Sequence, residues 1–103
     1  MALSESEVID LIYQQMTKFD DVKLYYICKE LKIYRKSLNV VKVVLALNVL
    51  GLPITEKIVT WVTGVTQTHS ALHNLGDKNV LAWKRKRGIL EWVVSSWFLE
   101  KIL

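Results

Sequence analysis

The run of residues 40–54 constrains this chain more than any other. It is 15 residues long, nearly all aliphatic, and carries one charge, Lys42. A membrane span needs about 20 mostly apolar residues, so the run is too short to cross a bilayer. It is also too apolar for a surface helix, which places it at the centre of a soluble fold. Its valines are restricted at χ1 and favour strand. The length and the Ala46-Leu47-Asn48 segment favour a helix over about 38–50, with Ser37 or Asn39 as cap. Gly51 ends it, and Pro53 cannot continue it.

The chain has 103 residues, 51% hydrophobic and 23% charged, which suits a single domain with its own core. Cys28 is the lone cysteine, so an intrachain disulfide and a cysteine-rich zinc site are excluded, and a cytoplasmic location is expected. The opening MALSESEVID lacks the basic and apolar regions of a secretory signal.

Two helices are expected before the apolar run. The first covers about 4–19, capped by Ser4 or Ser6, with Val8, Leu11, Ile12, Met16 and Phe19 as its stripe. The second is capped by Asp20 or Asp21, with Leu24, Ile27, Cys28, Leu31 and Tyr34 inward. After Pro53, Thr55 caps a helix to about Thr63, ended by Gly64. Thr66 or Thr68 starts the next, anchored by Leu72 and Leu75, with Thr68 or Ala71 completing its face. Asn79 is the non-glycine residue best suited to a left-handed cap.

Beyond Asn79 the hydrophobic period falls from 3.6 to 2. Residues 80–84 and 89–94 read as two strands of a hairpin, with Arg85-Lys86-Arg87-Gly88 as a basic tip. Trp83 and Trp92 are expected to pair across it. Trp61 is expected between the two helices before the hairpin. Ser95 or Ser96 caps a last helix over 97–103, docked by Trp97 and Phe98.

A helix, a tight turn, a second helix with a polar face and a basic hairpin make a winged helix-turn-helix order. The carrying residues are Leu52-Pro53-Ile54-Thr55-Glu56, Gly64-Val65-Thr66, Leu72-His73-Asn74-Leu75, Asp77-Lys78-Asn79-Val80-Leu81 and Lys84-Arg85-Lys86-Arg87-Gly88. On them, residues 37–94 resemble the winged-helix DNA-binding domains of MarR- and ArsR-type regulators. The Lys/Ile/Tyr-rich style resembles regulators encoded by archaea or an archaeal virus. Asn79 stands where such proteins usually have glycine, and the Gly64-to-Leu72 spacing is about two residues longer. The expected class is mainly α with a small β-hairpin. It is a single winged-helix domain over 1–103, with a helical extension at 1–36, a core at 37–94 and a C-terminal helix at 95–103.

The net charge of +4 is unevenly spread: −4 over residues 1–21, +5 over 22–42, −1 over 43–77 and +4 over 78–103. Lys84, Arg85, Lys86 and Arg87 form a tip suited to a polyanion, because each neutralised phosphate releases counterions. Gln67, Ser70, His73 and Asn74 are the outward positions of the expected reading helix, with His69 at the margin. Gln and Asn can pair bidentately with adenine. Thr66 and Thr68 at the helix start would favour phosphate. The implied function is sequence-specific binding of double-stranded DNA by a transcription regulator. The polar helix lies in the major groove and the basic wing on the backbone or minor groove.

A winged helix used as a protein-interaction module in a replication or transcription assembly is the competing reading, as fold does not fix function. Nonspecific nucleic-acid binding is a third. His69, His73 and Asp77 have helical spacing for a metal ion, but no cysteine or carboxylate cluster joins them, so no metal or cofactor is expected. No phosphate loop, catalytic triad or paired carboxylate appears, so no enzyme is expected. Dimers gain from two half-sites about 34–36 Å apart, and a homodimer is expected through Leu11, Ile12, Leu99, Ile102 and Leu103. An intersubunit disulfide through Cys28 would be compatible with it.

Overall fold

The computed structural model describes residues 3–64, 67–86 and 88–102. Helices α1 (Glu5–Met16) and α2 (Asp21–Glu30) lead through a 3₁₀ turn at Arg35–Ser37 into α3 (Leu38–Leu50). Helices α4 (Glu56–Thr63) and α5 (Thr68–Asp77) follow, then strands β1 (Leu81–Lys86) and β2 (Ile89–Val94), then α6 (Ser96–Ile102). The described fold is therefore mainly helical with one two-stranded antiparallel hairpin, as the hydrophobic periods imply.

The apolar run forms a helix, and its lack of a polar face is resolved by burial on every side. Val40, Val41, Val43, Val44, Leu45, Ala46 and Leu47 are all buried. Helix α1 packs along α3. Ile12, Leu24, Cys28, Leu72, Leu75, Trp92, Val94 and Phe98 join the same cluster. The flanking helices thus share the core of the middle segment. Burying one such aliphatic side chain contributes about 1.5–3 kcal/mol, so this shared cluster is what holds α5 and the hairpin against the rest.

Helix starts follow the expected chemistry. The Ser4 hydroxyl accepts from the Glu7 amide, the Asp20 carboxylate from the Val22 and Lys23 amides, and the Thr55 hydroxyl from the Ile58 amide. Ser37 precedes α3 but makes no side-chain cap bond. Helix ends hold one surprise. Gly51 closes α3 at φ 70°, and Asn79 turns left-handed at φ 61° after α5, but so does Lys32 at φ 60° after α2. There the Lys32 amide donates to Lys29 and the Ile33 amide to the Cys28 carbonyl at 2.8 Å. Those two bonds and the burial of Ile33 hold a long side chain in a conformation that L-residues avoid.

The hairpin is longer in β1 than its sequence pattern suggests. Arg85 pairs with Leu90 and Lys86 with Ile89, so both lie within the ladder rather than in a four-residue tip. Gly88, at φ 79°, supplies a left-handed residue just before β2, a conformation that glycine adopts without strain. Val80 belongs to the close of α5, where its amide donates to the Leu75 carbonyl. The Trp92 amide donates to the Ile54 carbonyl at 2.9 Å, an antiparallel bridge tying the α3–α4 connection to β2. The Ser95 hydroxyl and the Trp97 indole N–H both donate to the Asn79 carbonyl, which locks the stem of the hairpin to the start of α6.

Candidate nucleic-acid interface

Helix α5 buries Thr68, Leu72 and Leu75 and turns Gln67, His69, Ser70, His73 and Asp77 to solvent, with Asn74 half-buried. Thr68 is 1% exposed, so it completes the inward face and its hydroxyl is not presented to a phosphate. Thr66 and Arg87 lie outside the described residues, as does the side chain of Lys86.

The polar positions of α5 divide onto two flanks. Successive residues of a helix lie about 100° apart around its axis, and His73 and Asn74 face different neighbours. His73 looks to the hairpin, 5.6 Å between ring centroids and edge-on to Trp92, and 6.3 Å from Trp83. The two tryptophans pair across the strands as expected, with centroids 3.7 Å apart. Gly76 permits this approach, since a Cβ there would lie 3.1 Å from the Trp92 ring. His69 stacks near His73 at 4.3 Å, and its Nδ1 lies 3.0 Å from the Glu56 carboxylate at the start of α4. This exposed pair aligns α4 with α5 and is worth little in stability.

On the other flank, Gln67, Ser70, Ala71 and Asn74 form one wall of a groove of about 350 Å³. The facing wall is Tyr34, Lys36, Ser37 and Val40. Helical periodicity alone puts these α5 residues on one outward face and says nothing of the wall opposite, which comes from a segment some thirty residues earlier in the chain. The basic balance of residues 22–42 is its only signal in the sequence.

Side chains alternate faces along a strand, so the expected cationic cluster divides too. Leu81, Trp83, Arg85, Leu90, Trp92 and Val94 share one face by register. Leu81, Trp92 and Val94 are buried there, and Trp83 meets His73. Arg85 therefore extends the face that abuts α5. Lys84 is on the opposite face, directly across from Glu91. Both cations are exposed, but their neighbours differ.

Other expectations need correction. Trp61 is 39% exposed and lines a groove with Glu5, Lys57 and Ile58, so it faces α1 rather than α5. Ile12 is wholly buried within its own chain and cannot serve a dimer interface, whereas Leu11 is 40% exposed and Leu99 and Ile102 are half-buried. Cys28 is 1% exposed, and burial pushes its thiol up to about 11, so an intersubunit disulfide would require unpacking the core. Among the described residues no three His, Cys, Asp or Glu side chains are grouped to hold a metal ion. No described helix is long and apolar enough to cross a membrane. Compared with protein families, with characterised proteins and with solved structures, the chain matches none.

Proposed function

We propose that the chain binds double-stranded DNA as a winged-helix transcription regulator, with α5 in the major groove and the hairpin against the backbone. The observation that carries the reading is the junction of α5 with the Arg85 face of the hairpin, through His73, Trp83 and Trp92. A polar helix and a basic ribbon side by side suit one groove and its phosphate edge. The order α3, the Ile54 bridge, α4, α5, β1, β2 is that of a winged helix and supports the same reading. Gln67, Ser70, His73 and Asn74 would meet base edges, and Lys84, Arg85, Lys86 and Arg87 the backbone. Function as a homodimer belongs to this proposal, and sedimentation at micromolar concentration tests it.

Selection of bound duplexes from a random pool tests the reading. An enriched, palindromic motif is the expected outcome. Failure to retain any duplex at low salt overturns it, and retention without enrichment reduces it to nonspecific coating.

One observation favours a protein partner instead. Trp83 and Leu90 are 49% and 52% exposed on the same face as Arg85, an apolar pair of the kind that anchors protein interfaces. Alanine at residues 84–87 separates the two readings. DNA affinity collapses under the first, and partner binding survives under the second.

A further inference from the structure

The basic segment before α3 is unused by the interface described so far. Lys23, Lys29, Lys32, Arg35 and Lys36 have no carboxylate within ion-pair distance among the described residues, whereas Lys42 is paired with Asp21 at 2.8 Å. All five are exposed. Such a surface gains most from a polyanion.

Its position relative to α5 makes the partner specific. Lys36 lies over the Tyr34 ring, 5.7 Å from ammonium to centroid, and both residues form the wall of the groove opposite Gln67, Ser70 and Asn74. The Asn74 Oδ1 is buried with no hydrogen-bond partner, the one such side-chain atom found among the described residues. To meet a base edge the Asn74 amide would first have to turn outward from this groove. The polar arc of α5 thus has a cation toward each flank, Arg85 on the hairpin face that meets His73 and Lys36 on the groove wall opposite Asn74.

We propose that Arg35 and Lys36, supported by Tyr34, form a second backbone clamp. They would hold the phosphates on the side of the major groove opposite the hairpin. The inference rests on the DNA-binding reading above and adds a flank to it. With phosphate held on each side, the register of α5 in the groove is fixed from both edges.

The test is a titration of a fluorescent duplex with wild type and with Arg35→Ala/Lys36→Ala, from about 0.05 to 0.3 M salt. A Lys18→Ala/Lys101→Ala control makes the same charge change in the α1–α2 turn and on α6. Leaving two phosphates without their cations lowers the log–log salt slope by about 1.8 and the affinity at 0.15 M by on the order of 10- to 30-fold. The control should change little. Circular dichroism melts establish that the variants fold, as expected for exposed positions. If wild type binds and the Arg35/Lys36 variant binds equally well, the clamp is wrong and the DNA reading stands. Equal weakening by the control also overturns the clamp, because net charge then explains the effect. If wild type binds no duplex but captures anionic vesicles or an acidic peptide, both the reading and the clamp fall.

Discussion

The two flanks of α5 are built on different principles. The hairpin flank is fastened by packing: Trp92 is 4% exposed, meets Trp83 and His73, and receives the Ile54 bridge on its amide. The flank at the Arg35–Ser37 turn is open, a groove spanned by no described hydrogen bond, with Lys36 held only over Tyr34. One side is set by the core, whereas the other depends on exposed side chains. The first should therefore govern stability and the second affinity.

The largest test of that contrast is Trp92→Ala. Removing a buried tryptophan typically costs about 3–5 kcal/mol, a large share of the roughly 5–15 kcal/mol of an ordinary domain. Thermal unfolding should drop steeply, and the hairpin should detach from α5. A variant with unchanged melting would mean that the hairpin flank is not fastened as described.

The next test acts beneath the open flank. Cys28 lies with Tyr34, Arg35 and Leu38 around one groove, and burial pushes its thiol from 9.0 up to about 11. The folded state thus holds the thiol proton more tightly than the unfolded chain does. The stability this confers is complete below pH 9 and is lost as pH rises toward 11. At most about 2–3 kcal/mol is at stake. Denaturant unfolding of wild type should fall relative to Cys28→Ala between about pH 8 and 11. Parallel curves would contradict the burial of the thiol.

Asn74→Ala sharpens the contrast on the affinity side. It should leave melting nearly unchanged and relax preference at one base pair, by about 1–3 kcal/mol of discrimination. A single alanine at Arg85 should lower duplex affinity by about fivefold at 0.15 M salt, because one phosphate is no longer neutralised. Lys84→Ala should cost less, because Lys84 lies across from Glu91 on the far face. Equal reductions would place the cations on one surface after all. The smallest effect is Lys32→Gly, which relieves a left-handed lysine at φ 60°. It should stabilise by about 0.5–1 kcal/mol, read as a rise in melting temperature.

The same contrast marks what can be read from the sequence. The hairpin flank is legible because its signals are local. Period 2 after Asn79, two tryptophans at facing positions and a glycine turn all fall within some fifteen residues. The caps at Ser4, Asp20 and Thr55 are legible for the same reason, each needing only a side chain and an amide two or three residues on. What escapes is what tertiary packing decides. Nothing near Lys32 announces a left-handed residue, which is imposed by the burial of Ile33. The length of β1 follows from a ladder that overrides the charge repulsion of its lysines and arginine. The division of α5 into two flanks requires Tyr34 and Lys36, brought beside it by the segment with the 3₁₀ turn that joins α2 to α3. Alternation along β1 also separates Lys84 from Arg85, although their adjacency in sequence suggests one cluster.

The central claim is that α5 and its two basic flanks form one surface for a duplex. Amide chemical shifts recorded while a selected duplex is added test it most directly. Large changes at residues 34–36, 67–74 and 84–85, with α1 and α6 unmoved, are the predicted outcome. Changes confined to α1 or α6, or a spectrum that does not respond to duplex at all, would contradict it.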